Sequence, residues 1–275
     1  MILWFMRRVS ILYTKETISK AVHTKWAGKT VHFAKETDST NLWIKKLEKD
    51  GAEHGTLAVA EFQTAGRGRF TRAWEAEEGT SVMMTILLRP SFAPEYAPML
   101  TLVMGLSVAQ AVQKLGFSPE IKWPNDVVLS KKKICGILTE MGLNGSKIRY
   151  VGIGTGINVN IPGFLRELSD KATSLFLESG NRTDRNQVIA LVMEAFEKNY
   201  EIFDKTHDLS LLKNEYEEIL ANYGQPVRIL DKNNSYEGVC TGINDKGELL
   251  VRLSDGTEKA VGAGEVSVRG LYSYI

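Results

Sequence analysis

Residues 63–74, Gln-Thr-Ala-Gly-Arg-Gly-Arg-Phe-Thr-Arg-Ala-Trp, put three arginines, two glycines and a tryptophan into twelve positions that follow neither a helical nor a strand period. Each residue type supplies one part of an anion site. Glycine lets a backbone approach a ligand closely and adopt φ > 0. Arginine presents a rigid fork of donors to carboxylate or phosphate, and tryptophan offers a flat face to a base or an apolar ring. Such a loop suits a small molecule carrying negative charge. It also suits a solvated basic loop, or single-strand nucleic-acid binding of the RGG type.

A second stretch, Lys122-Trp-Pro-Asn-Asp126, sets Asn125 and Asp126 just after a proline that fixes its own φ and keeps Trp123 extended. Two readings stand side by side: a routine turn entering a hairpin, or an aspartate that helps place Mg²⁺ on a triphosphate. Lys133 lies seven residues beyond Asp126, where one hairpin turn returns it to the Asn-Asp pair. Lys131 and Lys132 read as solvated turn residues, whereas Lys133 opens the apolar run Lys-Ile-Cys-Gly-Ile-Leu, in which Gly136 leaves room for a ligand. Residues 152–160, Gly-Ile-Gly-Thr-Gly-Ile-Asn-Val-Asn, fail the G-x-G-x-x-G dinucleotide pattern because Ile157 stands at its last glycine, and no phosphate-loop motif occurs. Those glycines instead let a strand pass close to another backbone or a ligand. Asp38-Ser39-Thr40-Asn41 reads first as a helix N-cap, whose free N–H groups and hydroxyls also face a polar ligand. No Ser-His-Asp set or Cys-His pair is evident, so the chemistry relies on positioned charge and proximity.

The elements that must hold these residues follow from periodicity. Leu42, Trp43 and Leu47, ended by Gly51, predict a short helix; 56–62 and 81–88 predict strands flanking the Gly-Arg loop. Apolar residues at helical spacing over 97–115, stopped by Gly116, predict a core helix. Four β-rich runs follow at 119–123, 127–129, 134–141 and 148–153, with tight turns at 130–133 and Asn144-Gly145. Helices are expected over 184–204, burying Val188, Leu191, Ala195 and Phe196, and over 209–222. After Gly224, short strands at 226–230, 236–243, 248–253 and 266–268, split by turns that include 231–234, predict a small SH3-like barrel.

Composition excludes several classes. The 275 residues are 43% hydrophobic and 24% charged, which is ordinary for a globular chain, and the net charge of +1 gives no global basic field for nucleic acid. Cys135 and Cys240 match no metal spacing and read as free thiols of a reducing cytoplasm; His23, His32, His54 and His207 are scattered, against a zinc site. The N-terminal run 1–8 has the reverse order of a signal peptide, and no segment reaches the about 18–20 apolar residues of a membrane span. A cytoplasmic protein without membrane contact is expected. Residues 1–30 are weakly patterned and too few for an independent module; Met6 is a second candidate start.

In this order and spacing, Asp38-Ser-Thr-Asn41, Gln63, Gly66-Arg-Gly-Arg69, Lys122-Trp-Pro-Asn-Asp126, Lys133-Ile-Cys-Gly-Ile-Leu138 and Gly156-Ile-Asn-Val-Asn160 resemble the biotin protein ligases over roughly 31–270. The resemblance implies an α+β fold: a catalytic domain related to class II synthetases and lipoate ligases, with a mixed β-sheet and flanking helices, at 31–223, and a small SH3-like β-barrel at 224–275, after an N-terminal extension at 1–30. It implies ATP-dependent activation of biotin as biotinyl-5′-AMP, then transfer to a lysine of a biotin carboxyl carrier protein. By resemblance, biotin would meet Ser39, Thr40, Asn41, Gln63, Arg67, Gly68, Arg69, Lys133 and Gly136. ATP would meet Arg69, Arg72, Trp74, Asn125, Asp126, Lys133 and Asn158, with Mg²⁺ on Asp126 and with Lys133 and Arg69 stabilising charge. The family loop commonly carries a third glycine where this chain has Thr71, and a β-branched residue disfavours φ > 0. Some members bear an N-terminal DNA-binding domain, for which the roughly 30 residues before the catalytic segment are too few, so a monofunctional form without DNA binding is expected. A homodimer through a sheet edge occurs in relatives. The rival readings are a lipoate or octanoate ligase and a non-catalytic biotin sensor.

Overall fold

A computed structural model describes residues 12–230, 235–263 and 267–270. The expected turn at 231–234, Val266, the N-terminal run at 1–8 and the start at Met6 lie outside them. A seven-stranded sheet carries β1 (Val31–Thr37), β2 (Leu57–Gln63), β3 (Ser81–Leu88), β4 (Glu120–Lys122), β5 (Asp126–Leu129), β6 (Lys132–Asn144) and β7 (Lys147–Asn158), in the spatial order β1-β2-β3-β7-β6-β5-β4. Only β1 and β2 run parallel within it.

Both faces of the sheet are covered, which is why β3 reads as one continuous apolar run. On one face lie α1 (Lys15–Ala21), α3 (Leu100–Lys114) and α6 (Arg185–Thr206), which share a core with Val82, Met84, Ile86 and Leu88. On the other lies α2 (Thr40–Lys49), whose Ile44 packs with Ala58, Leu87 and Tyr150. Full burial of an aliphatic side chain such as Ile44 or Leu87 contributes about 1.5–3 kcal/mol.

The expected helix over 97–115 divides into a 3₁₀ turn, Pro94–Met99, and α3, which ends before Gly116 at φ 90°. In α6 Asp184 caps the first turn by accepting from Asn186 N; Val188, Ala195 and Phe196 are buried as expected, while Leu191 is half-buried at the core's rim. Residues 12–30 are more structured than their pattern suggests. A Thr14–Thr17 capping box starts α1, and Ile18 is fully buried in the main core.

Two short helices, α4 (Arg166–Ser169) and α5 (Leu175–Ser179), follow β7. The helix expected over 209–222 contracts to α7 (Lys213–Glu218). Ile121 N donates to Ile219 O and Ala221 N to Ile121 O, so the backbone past α7 bonds to β4 instead of continuing its own spiral. Tertiary hydrogen bonding overrides the local period here.

The last strands, β8 (Pro226–Leu230), β9 (Tyr236–Ile243), β10 (Leu249–Arg252), β11 (Glu258–Val261) and β12 (Ser267–Gly270), form a five-stranded antiparallel sheet ordered β11-β10-β9-β8-β12. Strand β11 was not expected: three of its four residues are exposed, so it has no apolar alternation to read. Val227, Ile229, Leu249 and Val251 join the main apolar cluster. Among the described residues no helix is long and apolar enough to cross a membrane.

Candidate active site

The β5–β6 hairpin builds the charged end of the site. Ser130 and Lys131 both take positive φ, 48° and 63°, which is the backbone of a tight hairpin turn. The turn brings Lys133 back against the start of β5, with Lys133 Nζ 2.6 Å from Asp126 Oδ1. Asn125 Nδ2 donates to the same carboxylate oxygen and, at 3.3 Å, to Ile137 O. Trp123 belongs to the core and donates from Nε1 to Gly247 O, 2.9 Å away in the C-terminal sheet region.

The Gly-Arg loop leaves the end of β2 and folds over this hairpin. Arg69 Nη1 donates to Asn125 Oδ1 at 2.8 Å, and Nη2 donates to Ala263 O at 2.7 Å. Burial pulls the Arg69 guanidinium below its usual value; Arg72 acts in the same direction and Asp126 opposes. The loop's positive φ falls on Phe70, at 55°, and Thr71 sits in the short 3₁₀ turn Arg69–Thr71. Thr71 itself takes no positive φ here. Arg67 and Phe70 are exposed, Phe70 to 48%, whereas Gly68 and Arg69 between them are half-buried.

Opposite the loop stands a buried polar wall at the start of α2. Ser39 occupies the N-cap position but makes no side-chain cap bond. Asp38 Oδ1 accepts from Ser39 N at 2.7 Å instead, and Gln63 Oε1 accepts from Thr40 N at 2.7 Å. The helix terminus is thus satisfied from β2 and from the residue before the cap. Glycines on β7 make the wall possible: a Cβ at Gly154 would strike the Asn41 amide, and one at Gly156 would strike the Trp74 indole.

One small cavity lies between wall, loop and hairpin. Ser39, Thr40, Asn41, Gln63, Arg67, Gly68, Arg69, Trp74, Asn125, Lys133 and Gly136 all line it. Its volume is about 50 Å³, well below the roughly 300 Å³ at which small-molecule sites begin. Trp74 accounts for much of this closure. Its indole lies against Gly136 and Gly156, 5.7 Å from Lys133 Nζ, with Nε1 buried and unpartnered. A neighbouring cavity of about 670 Å³, between α3, β6 and the Gly262–Ala263 segment, shares Arg69 and Asn125 with it.

Three expected residues stand outside this lining. Asp126 lies beneath Lys133; Arg72 is exposed; Asn158 is buried, with Nδ2 donating to Thr173 O at 3.1 Å. Among the described residues no three acidic, histidine or cysteine side chains cluster to hold a metal. Asp126 is one carboxylate beside Asn125, a donor set that fits Mg²⁺ carried on phosphates, since that ion keeps its waters and takes one or two carboxylates.

Sequence reasoning missed Glu140 and Thr85. Glu140 accepts from Asn41 Nδ2 at 2.9 Å and pairs with Lys45 Nζ at 3.2 Å and Arg67 Nη1 at 3.3 Å. Burial alone would raise its carboxyl, but the bonds from Asn41 and Lys45 and the charges of Lys45 and Arg67 outweigh it and hold it below the usual range. Strand alternation could have found Glu140, which shares the face of Gly136 and Leu138 on β6. Thr85 is the hydroxyl inside an otherwise apolar stretch of β3, on the face that meets α2.

Two family models match the chain: the biotin/lipoate A/B protein ligase family over residues 33–158, and the biotin protein ligase C-terminal domain over 223–269. The bifunctional ligase/repressor BirA of Bacillus subtilis is 36% identical over 253 residues, covering 91% of this chain and 78% of that protein. The biotin–[acetyl-CoA-carboxylase] ligase of Paracoccus denitrificans is 31% identical over 241 residues, covering 85% of this chain and 98% of its own length. Among solved structures, a biotin protein ligase from Aquifex aeolicus in complex with biotin and ATP superposes with a TM-score of 0.76 at 31% identity, over 88% of this chain and 99% of that one.

Proposed function

This chain belongs to the biotin protein ligase family, and from that membership we propose that it activates biotin with ATP and attaches it to a carrier protein. In the first step the biotin carboxylate attacks the α-phosphorus of ATP; a C–O–P anhydride forms and the bond to pyrophosphate breaks. In the second, a lysine amine of a biotin carboxyl carrier domain attacks the acyl carbon, an amide forms, and AMP leaves with the anhydride oxygen. The observation that carries this reading is convergence. Arg69 from the loop and Lys133 from β6 line one cavity, and its far wall is the polar face of buried Ser39, Thr40 and Asn41 with half-buried Gln63.

Two anions brought to about 4 Å repel by roughly 4 kcal/mol at an effective dielectric near 20. Lys133 and Arg69 offset that repulsion and then stabilise charge as it moves onto the leaving oxygen. The biotin ring lies on the wall, with Arg67, Gly68 and Gly136 along its chain. Arg72, Asn125, Asp126 and Asn158 serve the nucleotide. Bound Mg²⁺, held at Asp126, would neutralise triphosphate charge. Trp74 lines the small cavity against Gly136 and Gly156, and biotin binding moves the indole and the loop. Both then close over the adenylate and exclude water. Beyond its pairing with β5, β6 has β7 as its only ladder neighbour among the described residues over 139–144, an edge suited to a homodimer.

Incubation of the protein with biotin, MgATP and a carrier domain tests the function by intact mass. A biotinyl addition that needs both substrates is expected. Attachment of lipoate in its place, with biotin ignored, would move the assignment to the lipoate branch.

A further inference from the structure

We propose that Glu140, resting on the biotin reading above, is a positioning residue that sets the hydrogen-bond polarity of the ring-binding wall, so that Thr40 offers only lone pairs to the ligand. The number of protons available to these groups decides it. An ionised carboxylate can only accept, and Lys45 and Arg67 beside Glu140 keep it ionised. Asn41 must therefore turn its amide nitrogen to Glu140, and its second N–H goes to Leu138 O at 3.2 Å.

This leaves Asn41 Oδ1 facing the Thr85 hydroxyl at 2.7 Å, where oxygen against oxygen is tolerable only if Thr85 donates. Thr85 has one proton, and Asn41 takes it. The Thr40 hydroxyl, on which Thr85 Oγ1 also bears at 2.8 Å, gives its own proton to Gln63 Oε1 at 3.1 Å. No Thr40 proton then remains for the cavity. A ligand must bring an N–H to that point.

A ureido ring carries such donors, whereas a dithiolane ring carries none. Glu140 thereby selects the ring chemistry without touching the ligand. The plain alternative is a partly exposed ion pair with Lys45 and Arg67, an interaction that contributes little.

The test follows biotin-dependent ATP–pyrophosphate exchange by the full chain. Glu140→Gln replaces the obligate acceptor with a group that can donate, and Thr85→Val removes the proton that Asn41 needs. Each is expected to raise the KM for biotin by about 10- to 100-fold, with the KM for ATP within about twofold, because a buried polar partner is left unpaired. Thr85→Ser keeps the hydroxyl and should restore the biotin KM to within about threefold of the parent.

Glu140→Gln and Thr85→Val variants with unmoved biotin KM, or with both KM values rising together, would overturn the inference. Should Glu140→Gln fail to fold, the Thr85→Val and Thr85→Ser pair decides alone. A parent chain without biotin-dependent exchange sinks the ligase reading and this inference together, whereas an active parent with unmoved variants sinks this inference alone.

Discussion

On one side of the cavity Ser39, Thr40 and Asn41 are 2–5% exposed and interlock with Gln63, Thr85 and Glu140. Facing them, the loop from Gly66 to Trp74 is held by separate contacts along its length: Arg67 to Glu140, Arg69 to Asn125 and Ala263, and Trp74 against Gly136 and Gly156. The wall is preorganised, since the Thr40, Asn41, Thr85 and Glu140 side chains and Gln63 Oε1 are already hydrogen-bonded to one another before a ring arrives. Gly66 to Phe70 and Arg72 to Trp74 are half-buried or exposed, so opening the loop costs less than disturbing the wall. Recognition by a fixed surface and closure by a cheap one is an arrangement suited to a reactive adenylate, which must be admitted, sheltered and handed on.

The sharpest probe of this contrast lies at the charged end between the two. Lys133→Ala should lower the adenylation rate by about 100- to 1,000-fold, as expected for removal of a preorganised charge-stabilising donor. Circular dichroism should show the fold intact. Unchanged turnover would remove Lys133 from the chemistry.

On the loop side, Arg69→Ala gives up both the Asn125 and the Ala263 bonds. The expected result is a loss of about 10- to 100-fold in transfer to the carrier, with free biotinyl-AMP appearing in solution when sampled by mass spectrometry. Wild-type retention of adenylate in this variant would mean that the loop closes without its arginine.

A methyl group added to each side separates rigid from yielding. At Gly154 it would strike the Asn41 amide, and such overpacking costs about 1–3 kcal/mol, a drop of several degrees in Tm. At Gly68 the nearest neighbour outside adjoining residues is Arg72 O at 3.2 Å, within the loop itself, and Tm should stay within about a degree. Equal shifts in the two variants would erase the distinction.

The smallest effect is on acid stability. Glu140 on the wall and Glu197, which accepts from the Lys25, Trp26 and Ala27 backbone, are both held below the ordinary carboxylate range despite the opposing effect of burial. Their folded values lie below the unfolded value of about 4.3. The stabilisation is therefore full above that pH and is lost as pH falls through the folded values. Glu140→Gln should flatten this acid limb, measured as Tm against pH between about 3 and 5; an unaltered limb would show that the wall does not depend on this charge.

Much of the frame was legible because its signals are local. Strand β3 begins and ends where its apolar run does, and the α6 start follows from the Asp184 cap. The return of Lys133 to Asp126 was readable because a tight turn fixes hairpin register without reference to the rest of the chain. The reading failed at α7, where β4 captures the backbone, and at β11, which is too exposed to show a pattern.

Residue identity alone settled which groups could act: arginines and a lysine for anions, short polar side chains at a helix start, glycines where a strand must be approached. Only the folded chain decided what those groups touch. Arg69 meets Ala263 across 194 positions, and Asn41 meets Glu140 across 99. Trp74 lines the cavity against β6 and β7, and Glu140 governs a proton arrangement it shares with three strands and a helix. Contacts at such separation are set by how the sheet orders its strands, which no local spacing encodes.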